Sequence, residues 1–243
     1  MNLTIDIGNT STKWATFGQG TMLDSGKWKK GGWKRKTTGE KWKEATQAAI
    51  CASGDASGVT TLLDEMGIVY TMVDADMPLP IQIDYRTPHT LGADRIAAAC
   101  GAWALHPAEA SLIIDAGTCI TVDYVDNEGI FHGGAIMPGM QMSLQALHEH
   151  TERLPLVDLD SVVKPRIPGH STEESIIAGT MGATMLALAG YVTLYRQRDT
   201  HLNVLITGGD ADRLAKAGVS GWQQVPTLTL HGLNAIMEHN KNQ

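Results

Sequence analysis

Short apolar runs bounded by small and polar residues recur along this chain, alternating with segments whose apolar positions return every three or four residues. Leu3 to Ile7 is the first such run; Gly8-Asn9-Thr10 then reads as a turn and Thr12 to Phe17 as a second strand, which predicts a hairpin with a small polar tip. The same design returns at Ser111 to Val125. After the first hairpin the pattern predicts an apolar segment at Ala48 to Ala52, a helix over Val59 to Met66, a strand over Ile68 to Val73 and an Ala-rich helix over Ala93 to Trp103. After the second it predicts a strand over Ile130 to Met137, a helix over Met140 to His148, a long helix from Glu173, and a strand over Leu202 to Thr207 that ends in Gly208-Gly209-Asp210. Strands and helices alternate throughout, so the expected class is α/β.

The two hairpins are related. Ile5-Asp6-Ile7-Gly8-Asn9-Thr10-Ser11-Thr12 aligns with Ile114-Asp115-Ala116-Gly117-Thr118-Cys119-Ile120-Thr121 at a constant offset of 109 residues, with Asp, Gly and the second Thr in common. A repeat at nearly half the chain length implies two similar domains, 1–108 and 109–243, rather than a solenoid with units of about 20 to 50 residues. A ligand is then expected between the halves, where two tips can face each other.

Each tip has chemistry suited to phosphate. Glycine lets backbone N–H groups approach phosphate oxygens, and the hydroxyls of Thr10, Ser11 and Thr12 add donors. Lys13 offers a point charge, and Asp6 can hold Mg²⁺ directly or through water. A single Asp-x-Gly tip is ordinarily just a tight hairpin. Two of them half a chain apart, followed by an apolar strand ending in Gly-Gly-Asp, follow the order of phosphate and adenosine motifs in the actin and sugar-kinase ATPases. The sequence contains neither GxxxxGK[ST] nor GxGxxG.

Five segments extend the likeness. DIGNTSTKW at 6–14, TPHTLGADR at 87–95, DAGTCITVD at 115–123, GGAIMPG at 133–139 and STEESIIAGT at 171–180 resemble the type III pantothenate kinases in order and spacing. That resemblance implies two ribonuclease H-like domains related by duplication, with an ATP cleft between them. It implies ATP contacts at Asp6, Ile7, Gly8, Asn9, Thr10, Ser11, Thr12, Lys13 and Thr118, and a monovalent cation, K⁺ or NH₄⁺, at Asp115. It places pantothenate contacts at Tyr85, Gly92, Ala93, Asp94, Arg95 and Thr172, with Asp94 as general base, and implies a homodimer. The stretch Ala49 to Gly58 only loosely resembles the family's small-residue segment.

Asp94 has a chemical case of its own, since an alcohol attacking a γ-phosphate needs a carboxylate to take its proton. It also stands at a helix start, where a carboxylate serves as a cap. Arg95 can hold a carboxylate or amide oxygen of the substrate, or pair with Asp94. Ser171 and Glu174 form a capping box without further function. His148-Glu149-His150 reads as a solvated helix end rather than a metal site, because residues two apart on a helix do not share a face. Ser161-x-x-Lys164 lies among Pro155, Pro165 and Pro168 and reads as loop.

Composition narrows the setting. Three cysteines without metal-ligand spacing, and an opening MNLTIDIGNT without the basic and apolar regions of a signal peptide, point to the cytoplasm. A net charge of −7 disfavours nucleic-acid binding, although 8 of the 19 basic residues lie between 27 and 43, interleaved with Trp28, Trp33 and Trp42. That run reads as a solvated hairpin turning at Gly31-Gly32 or Thr38-Gly39, with alternate apolar and charged faces. Ser175 to Tyr195 lacks charge for 21 residues but is rich in Gly and Thr, which suggests a buried helix rather than a membrane span. The leading expectation is ATP-dependent phosphorylation of pantothenate with Mg²⁺. The alternatives are another small-alcohol or sugar kinase on the same scaffold, and a non-catalytic regulatory homologue.

Overall fold

The computed structural model describes residues 1–29 and 35–241. Strands β1 (Asn2–Ile7), β2 (Ser11–Gly18) and β3 (Thr21–Lys29) come first, followed by helix α1 (Arg35–Trp42), β4 (Gln47–Ala52), α2 (Ser57–Met66) and β5 (Val69–Met72). A two-residue strand β6 (Gln82–Ile83), a 3₁₀ turn at Pro88–Thr90 and helix α3 (Ala93–Leu105) complete the first stretch. Then come β7 (Ser111–Ala116), β8 (Cys119–Val125), β9 (Ile130–Pro138), α4 (Met140–Glu149), α5 (Thr172–Ile177) and α6 (Ala183–Arg198). The chain ends with β10 (Asn203–Thr207), α7 (Ala211–Ala217), β11 (Gln223–Gln224) and α8 (Leu228–Lys241).

The half-chain repeat is visible in the strand order. Among the described residues one sheet runs β3-β2-β1-β4-β5, and the other contains β9-β8-β7-β10-β11 with β6 added beyond β9. Both have the same order counted from their own first strand, and β10 lies parallel to β7 as β4 lies parallel to β1. The α/β class follows from this alternation.

Two compact units result. One comprises Met1–Ala108, Val125–Gly133 and Thr227–Gln243; the other comprises Glu109–Tyr124 and Gly134–Pro226. In the first, Leu3, Ile5 and Ile7 alternate onto one face of β1 and pack with Ile50, Val59, Leu62 and Leu63. In the second, Leu112, Ile114 and Ala116 do the same against Ile120, Val122, Leu188 and Leu214. Helix α8, which a division at half length places with the second domain, belongs to the first unit. Asn2 on β1 holds it by donating to Asn234 Oδ1 at 2.8 Å and Glu238 Oε1 at 2.6 Å, and Lys241 Nζ donates back to Asn2 Oδ1 at 2.9 Å.

The basic Trp-rich run departs from the expected hairpin. Lys27-Trp28-Lys29 ends β3, but Arg35–Trp42 is helical, so Thr38-Gly39 is no turn; Gly31-Gly32 lies outside the described residues. Aromatic packing accounts for the helix. Trp14 stacks on Trp28 with centroids 5.5 Å apart, and Trp42 meets the two rings edge-on at 6.3 and 5.8 Å. Trp14 and Trp42 are thereby buried, and Lys41 covers Trp14 at 5.1 Å from its centroid. These ring faces are occupied by one another rather than presented to bases.

Thr172–Arg198 forms one continuous helix, with Ala178–Gly182 as a π-helical turn. It is long and apolar enough to cross a membrane by length and composition. Ile176, Met181, Leu188 and Val192 nonetheless lie in the core of the second unit.

Helices α3 and α8 touch through glycine. A Cβ on Gly232 would overlap the Ala97 carbonyl, and one on Gly101 would strike the Leu228 carbonyl oxygen. Gly232→Ala is therefore expected to destabilise the protein by about 2 kcal/mol in urea denaturation, because a backbone carbonyl cannot rotate away and overpacking typically costs about 1 to 3 kcal/mol. Unchanged or increased stability, as intrinsic helix propensity alone would give, would show that the helices separate without cost.

Candidate functional site

The first tip follows β1. Gly8 N–H donates to Ser11 O at 2.9 Å, closing the reversal into β2, and a Cβ on Gly8 would lie 3.2 Å from that same oxygen. Asn9 and Thr10 are exposed, Gly8 and Ser11 partly so, while Ile7 and Thr12 are buried. In sheet register Asp6 sits opposite Lys13 on β2 and opposite Cys51 on β4. Ser53 and Gly54 also lie against this tip, although no motif singled them out. Ser53 N–H donates to Ile7 O at 2.9 Å, and a Cβ on Gly54 would be 3.4 Å from Gly8 O. Their signal in the sequence is weak, since the stretch Ala49 to Gly58 only loosely resembles a family segment.

Burial pushes the Asp6 carboxyl above its ordinary range, opposed by the Lys13 charge and by a hydrogen bond from Cys51; the charge of Asp94 pushes it further up. Asp94 is thus within electrostatic reach of the tip. It lies in the first turn of α3, whose cap is Gly92 rather than Asp94, with Arg95 and Ile96 N–H groups bonded to Gly92 O at 3.1 Å each. The Asp94 carboxylate bends back over Gly92, where a Cβ would lie 2.5 Å from Oδ1, and accepts the Arg95 N–H at 2.8 Å. Any side chain at Gly92 would displace it.

Next to it the buried Arg95 guanidinium lies 5.6 Å from the Tyr85 ring centroid and 5.7 Å from that of Phe131. Tyr85 can settle there because Gly133 has φ +79° and no side chain, and a Cβ at Gly133 would stand 2.7 Å from the ring. The first unit therefore gathers Asp6 to Lys13 with Tyr85, Gly92, Ala93, Asp94 and Arg95. It adds Phe131, which the sequence reading left out.

The second unit holds the other tip. Gly117 N–H donates to Cys119 O at 3.0 Å, Thr118 is exposed, and Gly139 N–H donates to Thr118 O at 3.0 Å. Asp115 is in register with Thr207 on β10, and the expected Gly-Gly-Asp turn follows at once. Gly208 takes φ +95°, and a Cβ there would overlap the Ala116 carbonyl and lie 2.5 Å from Asp115 Oδ1. Asp210 N–H donates to Ala116 O at 2.9 Å. Thr172 is exposed at the start of α5. The Ser171 hydroxyl caps that helix by accepting the Glu174 N–H at 3.1 Å, while the Glu174 carboxylate accepts from His170 N–H at 2.6 Å. This is the predicted capping box with its return bond moved one residue upstream.

The donor sets fit hard cations. Mg²⁺ takes one or two carboxylates, keeps several waters and shares phosphate oxygens, so the single carboxylate of Asp6 beside a phosphate-facing turn is sufficient. Beside Asp115 the Thr207 hydroxyl is buried without a hydrogen-bond partner among the described residues. An orphaned oxygen next to a carboxylate is suited to an alkali or ammonium ion. His148 Nδ1 instead meets Leu154 O at 2.9 Å at the helix end. No group of three or more His, Cys, Asp or Glu that could hold a metal occurs among the described residues.

Comparison with known proteins adds a family. A family model for type III pantothenate kinase matches residues 2–194. A type III pantothenate kinase from Cytophaga hutchinsonii is 34% identical over 245 residues, covering 99% of this chain and 100% of its own. One from Christiangramia forsetii is 36% identical over 250 residues, covering all of both chains. Among solved structures, a Campylobacter jejuni protein described as a conserved Baf family transcriptional activator superposes with TM-score 0.62 at 20% identity, covering 99% of this chain and 100% of that one. A Listeria monocytogenes protein described as an N-acetylmannosamine kinase gives 0.56 at 13% identity, with 99% of each chain covered. At those identities the structures establish a shared actin and sugar-kinase fold.

The raised Asp6 pKa makes a thermodynamic prediction. A carboxyl whose folded pKa lies above its unfolded value stabilises the fold only below the unfolded pKa, and that contribution is lost as pH rises through the folded pKa. The ligand-free protein is therefore less stable at neutral pH than it would be with an uncharged side chain at position 6. Asp6→Asn should raise its melting midpoint by a few degrees at pH 7, with the gain shrinking as pH falls through the raised folded pKa and gone below about pH 4, the ordinary carboxylate range. A lower midpoint at pH 7 would mean that attraction to Lys13 outweighs burial.

Proposed function

We propose that this chain, which belongs to the type III pantothenate kinase family, transfers the γ-phosphoryl group of ATP to the primary hydroxyl of pantothenate, giving 4′-phosphopantothenate, the first step towards coenzyme A. Beyond membership, the observation that supports this reading is that Asp94, at the start of α3, lies close enough to the first tip for its charge to raise the Asp6 carboxyl. A phosphate-binding turn and a carboxylate base then act on neighbouring atoms within one unit.

In this reading the N–H groups and hydroxyls of residues 6–13 hold the ATP phosphates, Lys13 adds charge, and Thr118 supplies a contact from the second tip. Asp6 would hold magnesium directly or through water, and the metal bound with ATP would supply positive charge against that developing on the phosphoryl oxygens. Asp94 accepts the hydroxyl proton late in the displacement. Its carboxylate is oriented by the Arg95 N–H. The Arg95 guanidinium, steadied on Tyr85 and Phe131, offers a fixed plane for the pantothenate carboxylate. Gly92 and Ala93 bring the α3 backbone close to substrate, and Thr172 adds a polar contact. Asp115, with the Thr207 hydroxyl, would hold K⁺ or NH₄⁺. We read the protein as a cytoplasmic homodimer acting on small molecules, with no nucleic-acid or membrane partner. Leu186 and Leu194, exposed on α6, are consistent with an apolar contact surface.

A coupled ADP-release assay with pantothenate, Mg²⁺ and K⁺ tests the activity, and absence of turnover would refute it. In that assay Asp94→Asn is expected to lose about 10²- to 10⁴-fold in rate, the usual range for a general base, with nucleotide binding retained. Turnover within a few-fold of the wild type would remove Asp94 from this role.

Activity should rise when Na⁺ is replaced by K⁺ or NH₄⁺ at constant ionic strength. Asp115→Ala should abolish that response, and Thr207→Val should shift it to higher cation concentration. A flat wild-type response would instead assign Asp115 to the magnesium shell.

A further inference from the structure

The Asp6 carboxylate has a neighbour on each side within its own sheet. Lys13 is paired with it across β2 and Cys51 across β4. In-register residues of adjacent strands project from the same face, so Lys13, Asp6 and Cys51 form one row. Cys51 Sγ lies 3.5 Å from Asp6 Oδ1, and the thiol is fully buried. A thiol is a weak donor, but here it is held in the buried interior and aimed at a part-buried carboxylate, where reduced competition from water strengthens the bond. An ordinary cysteine thiol, with pKa about 8.5, keeps its hydrogen at neutral pH and so has one to donate.

Packing alone does not account for the residue. Leu3, Ile5, Ile7 and Ile50 form the core cluster on the opposite face of β1 and β4, and a Val or Ala at position 51 would occupy similar space. What those residues lack is a hydrogen to donate. The duplicated unit repeats the placement, though not the hydrogen bond. There the in-register neighbour of Asp115 on the parallel strand is Thr207, again a short buried side chain with a donor hydrogen.

We propose that Cys51 is a positioning residue of the first phosphate tip, its S–H holding the Asp6 carboxylate in the orientation that receives magnesium–ATP. The inference rests on the reading of Asp6 as the magnesium contact, but not on which alcohol is phosphorylated.

Calorimetric titration of ATP without pantothenate, once with Mg²⁺ and once with EDTA, tests it on Cys51→Ser, Cys51→Val and Cys51→Ala. Removing one hydrogen bond to a charged group should weaken magnesium–ATP binding about 5- to 10-fold in the Val and Ala variants. Binding of metal-free ATP should stay within about twofold, and Cys51→Ser, which keeps a donor, should bind like the wild type. Melting midpoints identify any variant that fails to fold, and the other apolar variant then supplies the result. The proposal is overturned if the apolar variants bind magnesium–ATP normally, if they lose affinity equally with and without Mg²⁺, or if Ser loses as much as Val. Turnover of pantothenate by the wild-type protein is a separate measurement. Its failure would strike the substrate assignment and leave this binding comparison standing.

Discussion

Withdrawing the Asp6 carboxylate partly from water near the end of a central strand is the constraint on which the rest of this site depends. An ionised group withdrawn from water is unfavourable unless neighbours supply charge or hydrogen bonds. Both sides of β1 do so, through Lys13 on the antiparallel strand and Cys51 on the parallel one. The strand after Asp6 must then reverse within a few residues, which is why glycine follows and why Ser53 closes onto Ile7 O. A ligand carrying cations would relieve the same penalty.

The duplicated sheet applies the same plan to a different end. Asp115 again stands one residue before the end of the first strand of its unit, with a parallel strand beside it and a glycine two residues on. At Asp6 the flanking donor is engaged, whereas at Asp115 the flanking hydroxyl of Thr207 is buried and unpartnered among the described residues.

Close approach through glycine sets the remaining geometry. Gly92 makes room for the Asp94 carboxylate, Gly133 for the Tyr85 ring, Gly208 for the Ala116 carbonyl and Asp115, and Gly232 for the backbone of α3. At each point the neighbour is either backbone or a candidate site group. A methyl group at Gly92, Gly133 or Gly208 would move candidate site groups, whereas one at Gly232 would force two helix backbones apart.

Much of this was determined by local sequence. Alternating apolar runs and Asp-Gly turns specified both hairpins, and the offset between them specified the repeated topology, because strand and turn formation depend on residues close together in the chain. The S-x-x-E cap was readable for the same reason. Only the tertiary structure decided that Arg35–Trp42 is a helix, since its Trp42 gains burial by meeting Trp14 and Trp28, which are remote in sequence. It alone assigned α8 to the first unit through contacts between Asn2 and residues at the far end of the chain. It also brought Cys51 to Asp6 and Phe131 to Arg95, because sheet register and side-chain stacking depend on which strands become neighbours, a choice made by the packing of the whole core rather than by any local pattern.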